Sequence, residues 1–250
     1  MQRYFLSKEH FDDGYVMING EDAKHISRVM RMAIDDLVIC CDNERKCYLC
    51  KITEVMPNFV KAVIVEPMTK QVELPINVSI AHGLPKGDKL ELVIQKGTEL
   101  GAASFIPFQA ERSIVKLDEK KGRKKIERWN KISKEASEQS HRQFVPPVEA
   151  IQTLKQLVHL FHSYSYVILA YEEEAKNDEK SRFHHTLSQM KQGDSLLFVV
   201  GPEGGFSDRE VELMVENGAI SCALGPRILR SETAPLYGLA AISYHFELLG

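Results

Sequence analysis

The residues richest in chemical possibility lie in two turns toward the carboxyl end. The first is Gly201-Pro202-Glu203-Gly204-Gly205-Phe206-Ser207-Asp208-Arg209-Glu210. It leaves the apolar run Ser195–Val200 and opens a helical pattern. Its glycines let backbone approach a ligand closely or adopt positive φ. Ser207 and Glu210 have the spacing of a capping box, which starts a helix there. No Lys-Ser/Thr follows, so this is not a Walker loop, and G-x-G-x-x-G is absent. Glu203 also argues against phosphate, because two like charges 4 Å apart repel by about 1 kcal/mol in water and more when buried. A neutral or cationic ligand fits better; S-adenosylmethionine, a sulfonium without phosphate, is one. The second turn is Leu224-Gly225-Pro226-Arg227-Ile228-Leu229-Arg230-Ser231-Glu232-Thr233-Ala234-Pro235. Gly225-Pro226 forces a bend. Ile228 and Leu229 are costly on an exposed loop unless they wall a flat ring. Arg230 and Glu232 either act on a substrate or form an ion pair that anchors the loop.

Both turns need strands and helices to hold them. Strands are expected at Ile76–His82, Ala103–Phe108, Tyr166–Tyr171, Ser195–Val200 and Ala219–Leu224. Helices are expected at Lys86–Leu100, Asp118–Ser140, Phe183–Gln192, Ser207–Asn217 and Pro235–Leu249. Such alternation predicts an α/β domain with a parallel sheet, and the unbroken apolar run Leu196–Val200 suits a strand covered on both faces. The first seventy residues read differently. Short strands at Leu37–Asp42, Lys46–Glu54 and Phe59–Glu66 suggest a small barrel. A helix over Glu21–Met32 would carry Lys24, Arg28 and Arg31 as a basic stripe. Pro67–Pro75 reads as a linker, which divides the chain into 1–72 and 73–250.

The chain has 250 residues, 44% hydrophobic and 27% charged, a composition that folds and is not that of a disordered chain. Its longest apolar run, Tyr166–Tyr171, is far short of the roughly twenty residues a membrane span needs. The N-terminus lacks the apolar stretch of a secretory signal, so a cytoplasmic protein is expected. The net charge of -3 hides an asymmetry: residues 111–143 hold 11 basic and 6 acidic groups. That middle is a solvated helix face or a footprint for a polyanion. Cys40, Cys41, Cys47 and Cys50 cluster, but residues three apart on a strand face opposite ways, so no metal site is expected. No structural disulfide is expected in a cytoplasmic chain either.

The two turns resemble signature segments of the small-subunit ribosomal RNA uracil-N3 methyltransferases, in the SPOUT superfamily. Further likenesses follow in order along the chain: Arg3-Tyr4-Phe5, His25 to Arg31, Lys86-Gly87-Asp88-Lys89, Gln95 to Gly101, Glu111-Arg112-Ser113, Glu127-Arg128-Trp129 and Ala136 to Arg142. The resemblance implies an N-terminal PUA-like β-barrel domain and a C-terminal SPOUT α/β domain with a trefoil knot over about 198–250. It implies a homodimer that uses S-adenosylmethionine to methylate N3 of a specific uridine in 16S rRNA, free or within the small ribosomal subunit. It implies a donor pocket lined by Leu169, Gly201, Glu203, Gly204, Gly205, Leu224, Gly225, Ile228, Leu229 and Thr233. Arg230 would stabilise charge on the uracil oxygens, and Glu232 would orient Arg230 or accept the N3 proton. RNA contacts would come from Arg3, Lys24, Arg28, Arg31, Arg112, Gln139 and Arg142. Three positions depart from the family pattern: Gly97, where alanine is more usual, His141 and Ser231. A noncatalytic RNA-binding protein, or a nucleotide-dependent enzyme using the glycine-rich turn, remains the alternative from the residues alone.

Overall fold

The computed structural model describes residues 1–113, 115, 119–171 and 182–249. They form two compact units, Met1–Glu73 with Ser137–Val145, and Leu74–Ala136 with Pro146–Gly250. No helix among the described residues is long and apolar enough to cross a membrane.

The first unit is built on six strands: β1 (Arg3–Phe5), β2 (Phe11–Asp12), β3 (Tyr15–Asn19), β4 (Leu37–Cys41), β5 (Cys47–Val55) and β6 (Phe59–Pro67). Their order is β1-β4-β5-β6-β3-β2. Only β1 and β4 run parallel. The two-residue alternation of a half-buried strand is plain in β3, where Val16 and Ile18 are buried between more exposed neighbours. With Tyr4, Ile26, Val38, Ile52 and Val60 they make the core. The small barrel expected here takes the form of a curled half-barrel, whose outer strands β1 and β2 hold only 3 and 2 residues and do not pair with each other.

The helix expected over Glu21–Met32 is shorter and changes form. Helix α1 (Gly20–Lys24) passes into a π turn, His25–Val29. The N–H of Met30 reaches back five residues to the carbonyl of His25, and the Ser27 hydroxyl donates to the carbonyl of Ala23. The first is the wider π form, and the second weakens or bends a helix. Arg31, at φ 51°, then ends it.

Two other expectations fail in this unit. Cys41 and Cys47 form a disulfide, not the free thiols expected. The β4–β5 register places them directly opposite one another. Cys40 and Cys50 face the core as free thiols, so Cys47 and Cys50 do diverge. Among the described residues no cluster of histidines, cysteines and carboxylates is arranged to hold a metal. Arg3 and Arg142, expected to contact RNA, are 6% and 3% exposed. Arg142 gives Nε and Nη2 to Glu73 at 2.8 and 2.6 Å, and Arg3 Nη1 donates to the Arg142 carbonyl at 2.6 Å. The Gln143 N–H completes the carboxylate's shell at 2.7 Å. A guanidinium is buried only where such partners replace water.

The second unit alternates strand and helix: β7 (Asn77–Gly83), α2 (Lys89–Glu99), β8 (Ser104–Gln109), α3 (Glu119–Gln139), β9 (Gln152–Thr153), α4 (Leu154–His159), β10 (Tyr166–Ala170), α5 (Arg182–Gln189), β11 (Ser195–Val200), α6 (Asp208–Glu216), β12 (Ile220–Cys222) and α7 (Thr233–Ser243). The last turn of α3, from Ser137, already belongs to the first unit. The expected start of that helix, Asp118, lies outside the described residues. The sheet is wholly parallel, in the order β12-β10-β11-β7-β8-β9. Strand β11 sits between β10 and β7. Its Leu196, Phe198 and Val200 pack on the side of α2, α5 and α7, while Leu197 and Val199 pack with α4 and α6. Both faces are thus dry, which explains the unbroken apolar run.

Gly97, the departure noted in α2, has a packing reason. A Cβ there would lie 2.8 Å from Cε1 of Phe105. Phe105 is 1% exposed, so its ring can move only by displacing other core side chains. Helix propensity alone favours alanine over glycine by about 1 kcal/mol. Overpacking costs about 1–3 kcal/mol. Gly97→Ala is therefore expected to lower the urea midpoint; a variant as stable as the parent would show that the ring yields.

Candidate functional site

Parallel strands end on one edge, and ligands collect where loops leave that edge. Here the carboxyl ends of β10, β11 and β12 deliver Ala170 and Tyr171, the turn after Val200, and the turn after Cys222 to a single cavity of about 810 Å³. Gly201, Glu203, Gly204, Gly205, Leu224, Gly225, Ile228, Leu229 and Arg230, all named from the sequence, line it.

The first turn is fixed at both ends. The Ser207–Glu210 capping box forms as expected, with the Ser207 N–H on Glu210 Oε2 at 2.9 Å. The other oxygen of Glu210 accepts the N–H of Glu111 at 2.7 Å, tying the turn to the loop after β8. From that loop Arg112 donates to the carbonyl of Gly204 at 3.1 Å and itself lines the cavity. Gly205 has φ +65° and open space where a Cβ would go. Any side chain there is strained and points into room a ligand would use.

The second turn rests on His82, which is 1% exposed at the end of β7. Its ring nitrogens face the carbonyls of Ser231 at 2.9 Å and Gly83 at 2.7 Å. Burial holds the imidazole below its ordinary pKa, against the pull of those two carbonyls. A neutral imidazole donates to only one of them.

Lys89, at the start of α2, joins the two turns. Its Nζ is 3.1 Å from Glu203 Oε1 and 3.1 Å from Glu232 Oε2. The two carboxylates raise the lysine pKa, Glu203 first. Burial pushes both carboxyls up, but their own backbone N–H groups and Lys89 outweigh it, so both titrate below the usual carboxylate range. The Lys86 N–H also donates to Glu203, at 3.1 Å.

Three expectations need correction. Glu232 does not orient Arg230: its carboxylate is taken by Lys89 and by the Ser231 hydroxyl at 3.2 Å. Leu169 is fully buried in the core on the side of α4 and α6 and is not among the residues that line the cavity, whereas its neighbour Ala170, on the other face by strand alternation, is. Thr233 is exposed at the first position of α7 and does not line the cavity, because the helix begins two residues before the expected Pro235. Lys24, Arg28, Arg31 and Gln139 are exposed as expected.

The sequence reading missed the roles of Lys89 and His82. A signal for Lys89 existed: a cation at a helix N-terminus opposes the macrodipole, so a lysine there is held by something else. His82 carried none, since its partners are backbone carbonyls of residues near and far in the chain.

The RNA methyltransferase domain family matches residues 72–243, and the RNA methyltransferase PUA domain family matches residues 18–65. The chain is 50% identical to ribosomal RNA small subunit methyltransferase E of Bacillus subtilis, over 100% of this chain and 98% of that one. It is 31% identical to the Synechocystis protein of that name, over 98% and 78% of the two chains. Among solved structures it resembles ribosomal RNA small subunit methyltransferase E of Neisseria gonorrhoeae bound to S-adenosyl methionine, with a TM-score of 0.83, 27% identity and 97% of each chain covered. A putative methyltransferase of Legionella pneumophila in complex with the same cofactor gives a TM-score of 0.79 at 28% identity, over 96% of each chain. On the fold, the site and these likenesses together, the chain belongs to the ribosomal RNA small subunit methyltransferase E family of RNA methyltransferases.

Proposed function

We propose that this protein transfers the methyl group of S-adenosylmethionine to N3 of a uridine in 16S rRNA. One observation carries the reading: two turns from the ends of β11 and β12, which flank β10, enclose one cavity, lined by apolar side chains, glycine backbone and a carboxylate, on a fold shared with relatives solved with this donor bound. The fit is chemical as well as spatial. Leu224, Ile228 and Leu229 suit the flat face of a base, and Glu203 suits a cationic ligand and repels a phosphate.

The donor, when bound, supplies an electrophilic methyl on a positive sulfur. The protein must hold N3 in line with it and help N3 lose its proton to solvent water. Alignment supplies several kcal/mol. Arg230 is exposed at the cavity and has no ion-pair partner among the described residues, so its charge is available to the uracil oxygens. Glu232, committed to Lys89, is placed as an anchor of the loop. Residues 1–72 serve RNA binding and 73–250 catalysis in this reading. Lys24, Arg28 and Arg31 of the first unit, with Arg112 and Gln139, give the RNA contacts, and such phosphate contacts weaken steeply with salt. The protein acts in the cytoplasm, on rRNA or the small subunit, as a homodimer with a knotted 198–250 segment. Tyr237, Tyr244 and Leu248, exposed and seven and four residues apart along the last helical stretch, share one face, which supports a second copy covering it. Equilibrium sedimentation tests it.

The decisive experiment maps methylated uridines by mass in 16S rRNA from cells with and without the gene. Loss of one N3-methyluridine is expected, and its persistence refutes the reading. Gly205→Asp is expected to abolish donor binding in calorimetry, because the new carboxylate occupies the cavity, while folding changes by only about 1–2 kcal/mol. Donor binding at parental affinity by that variant would move the pocket elsewhere.

A further inference from the structure

We propose that Lys89 is a positioning residue that clasps the two turns of the donor pocket into one closed wall. The inference rests on the reading that the cavity holds S-adenosylmethionine. Glu203 belongs to the turn after β11 and Glu232 to the turn after β12, and both carboxylates meet one ammonium from a third element, α2. No other hydrogen bond or ion pair among the described residues links Gly201–Phe206 directly to Leu224–Glu232. The other anchors run separately, from Arg112 to Gly204 and from Lys86 to Glu203 on the first turn, and from His82 to Ser231 on the second.

The geometry also shows what happens without the lysine. Each carboxylate oxygen is 3.1 Å from Nζ, so the two oxygens are at most twice that distance apart. Two like charges so close, partly screened from water, repel. Removing Lys89 therefore does more than delete two contacts: it leaves a repulsion that drives the walls apart. Nor is Lys89 where a lysine gains from its own helix, since it opposes the dipole at the start of α2. Its position is explained by the two turns it holds, not by α2.

The test is donor titration by calorimetry, with steady-state rates on 16S rRNA and melting temperatures alongside. Lys89→Met is expected to weaken donor affinity about tenfold. The rate at saturating donor should fall far less. Lys89→Arg should restore most of the affinity, because the fork can reach both carboxylates. The sharpest arm is the double variant Lys89→Met, Glu232→Gln. With one of the two carboxylates neutral the repulsion is gone, while Glu203 keeps its charge for the donor, so this variant should bind the donor better than Lys89→Met alone. Parental affinity in Lys89→Met overturns the clasp. So does a double variant weaker than the single one, or a loss of affinity that follows a collapse in melting temperature. If the parent protein itself binds no donor, the proposed function falls first, and the clasp with it.

Discussion

Arg230→Met is expected to lower the turnover of uridine methylation by about 10²–10³-fold, the usual loss when one donor to a developing charge is removed. Donor affinity should stay near the parental value. The reason is the contrast between Arg230 and its neighbours. Lys89 is held by Glu203 and Glu232, whereas Arg230 faces the cavity with no ion-pair partner among the described residues. A free cation beside the uracil oxygens makes loss of the N3 proton easier, because the charge left behind is spread onto those oxygens. A reporter that separates binding from chemistry is single-turnover methylation at saturating donor. Arg227 also lines the cavity and is exposed, so it makes a fair control. Should Arg227→Met remove the rate and Arg230→Met leave it intact, the cation has been assigned to the wrong side chain.

The largest stability effect is expected at Glu73. Its carboxylate takes two bonds from Arg142 and one from the Gln143 N–H, all inside the first unit, with the ion pair only 3% and 5% exposed. Breaking a buried pair by deleting one partner costs about 3–5 kcal/mol, since the other charge stays behind without water. Glu73→Ala strands the Arg142 guanidinium in this way. Glu73→Gln keeps the shape and one acceptor, and should cost less. Urea unfolding of the intact protein measures both. Two variants within about 1 kcal/mol of the parent would mean that Arg142 escapes to solvent.

Much of this was legible in the residues. The two turns near the carboxyl end announced a pocket through their glycines, their capping box and their misplaced apolar pair. The alternating unit was legible too, because a strand like β11, dry on both faces, writes itself as an unbroken apolar run. Other features were hidden by causes that act across the chain. Arg3 and Arg142 look like surface cations, and only the folded unit shows that Glu73 and a carbonyl draw them inside. The Cys41–Cys47 bond depends on the β4–β5 register, which the hairpin turn sets and the cysteine spacing does not reveal. Strand β9 and helix α4 were not foreseen, although Thr153 and Gln156 form a capping box that marks the start of α4. Gly97 looked like a flaw in a helix until Phe105 was seen beneath it.

The first unit is completed by Ser137–Val145, a segment that arrives long after Glu73 in the chain. A growing polypeptide therefore cannot finish its amino-terminal half when that half has been synthesised. Until Arg142 emerges, the Glu73 carboxylate has no guanidinium to receive and must remain hydrated. The order of maturation on the ribosome is then set by a distant arginine: β7, α2, β8 and α3 are already made when the first unit locks shut.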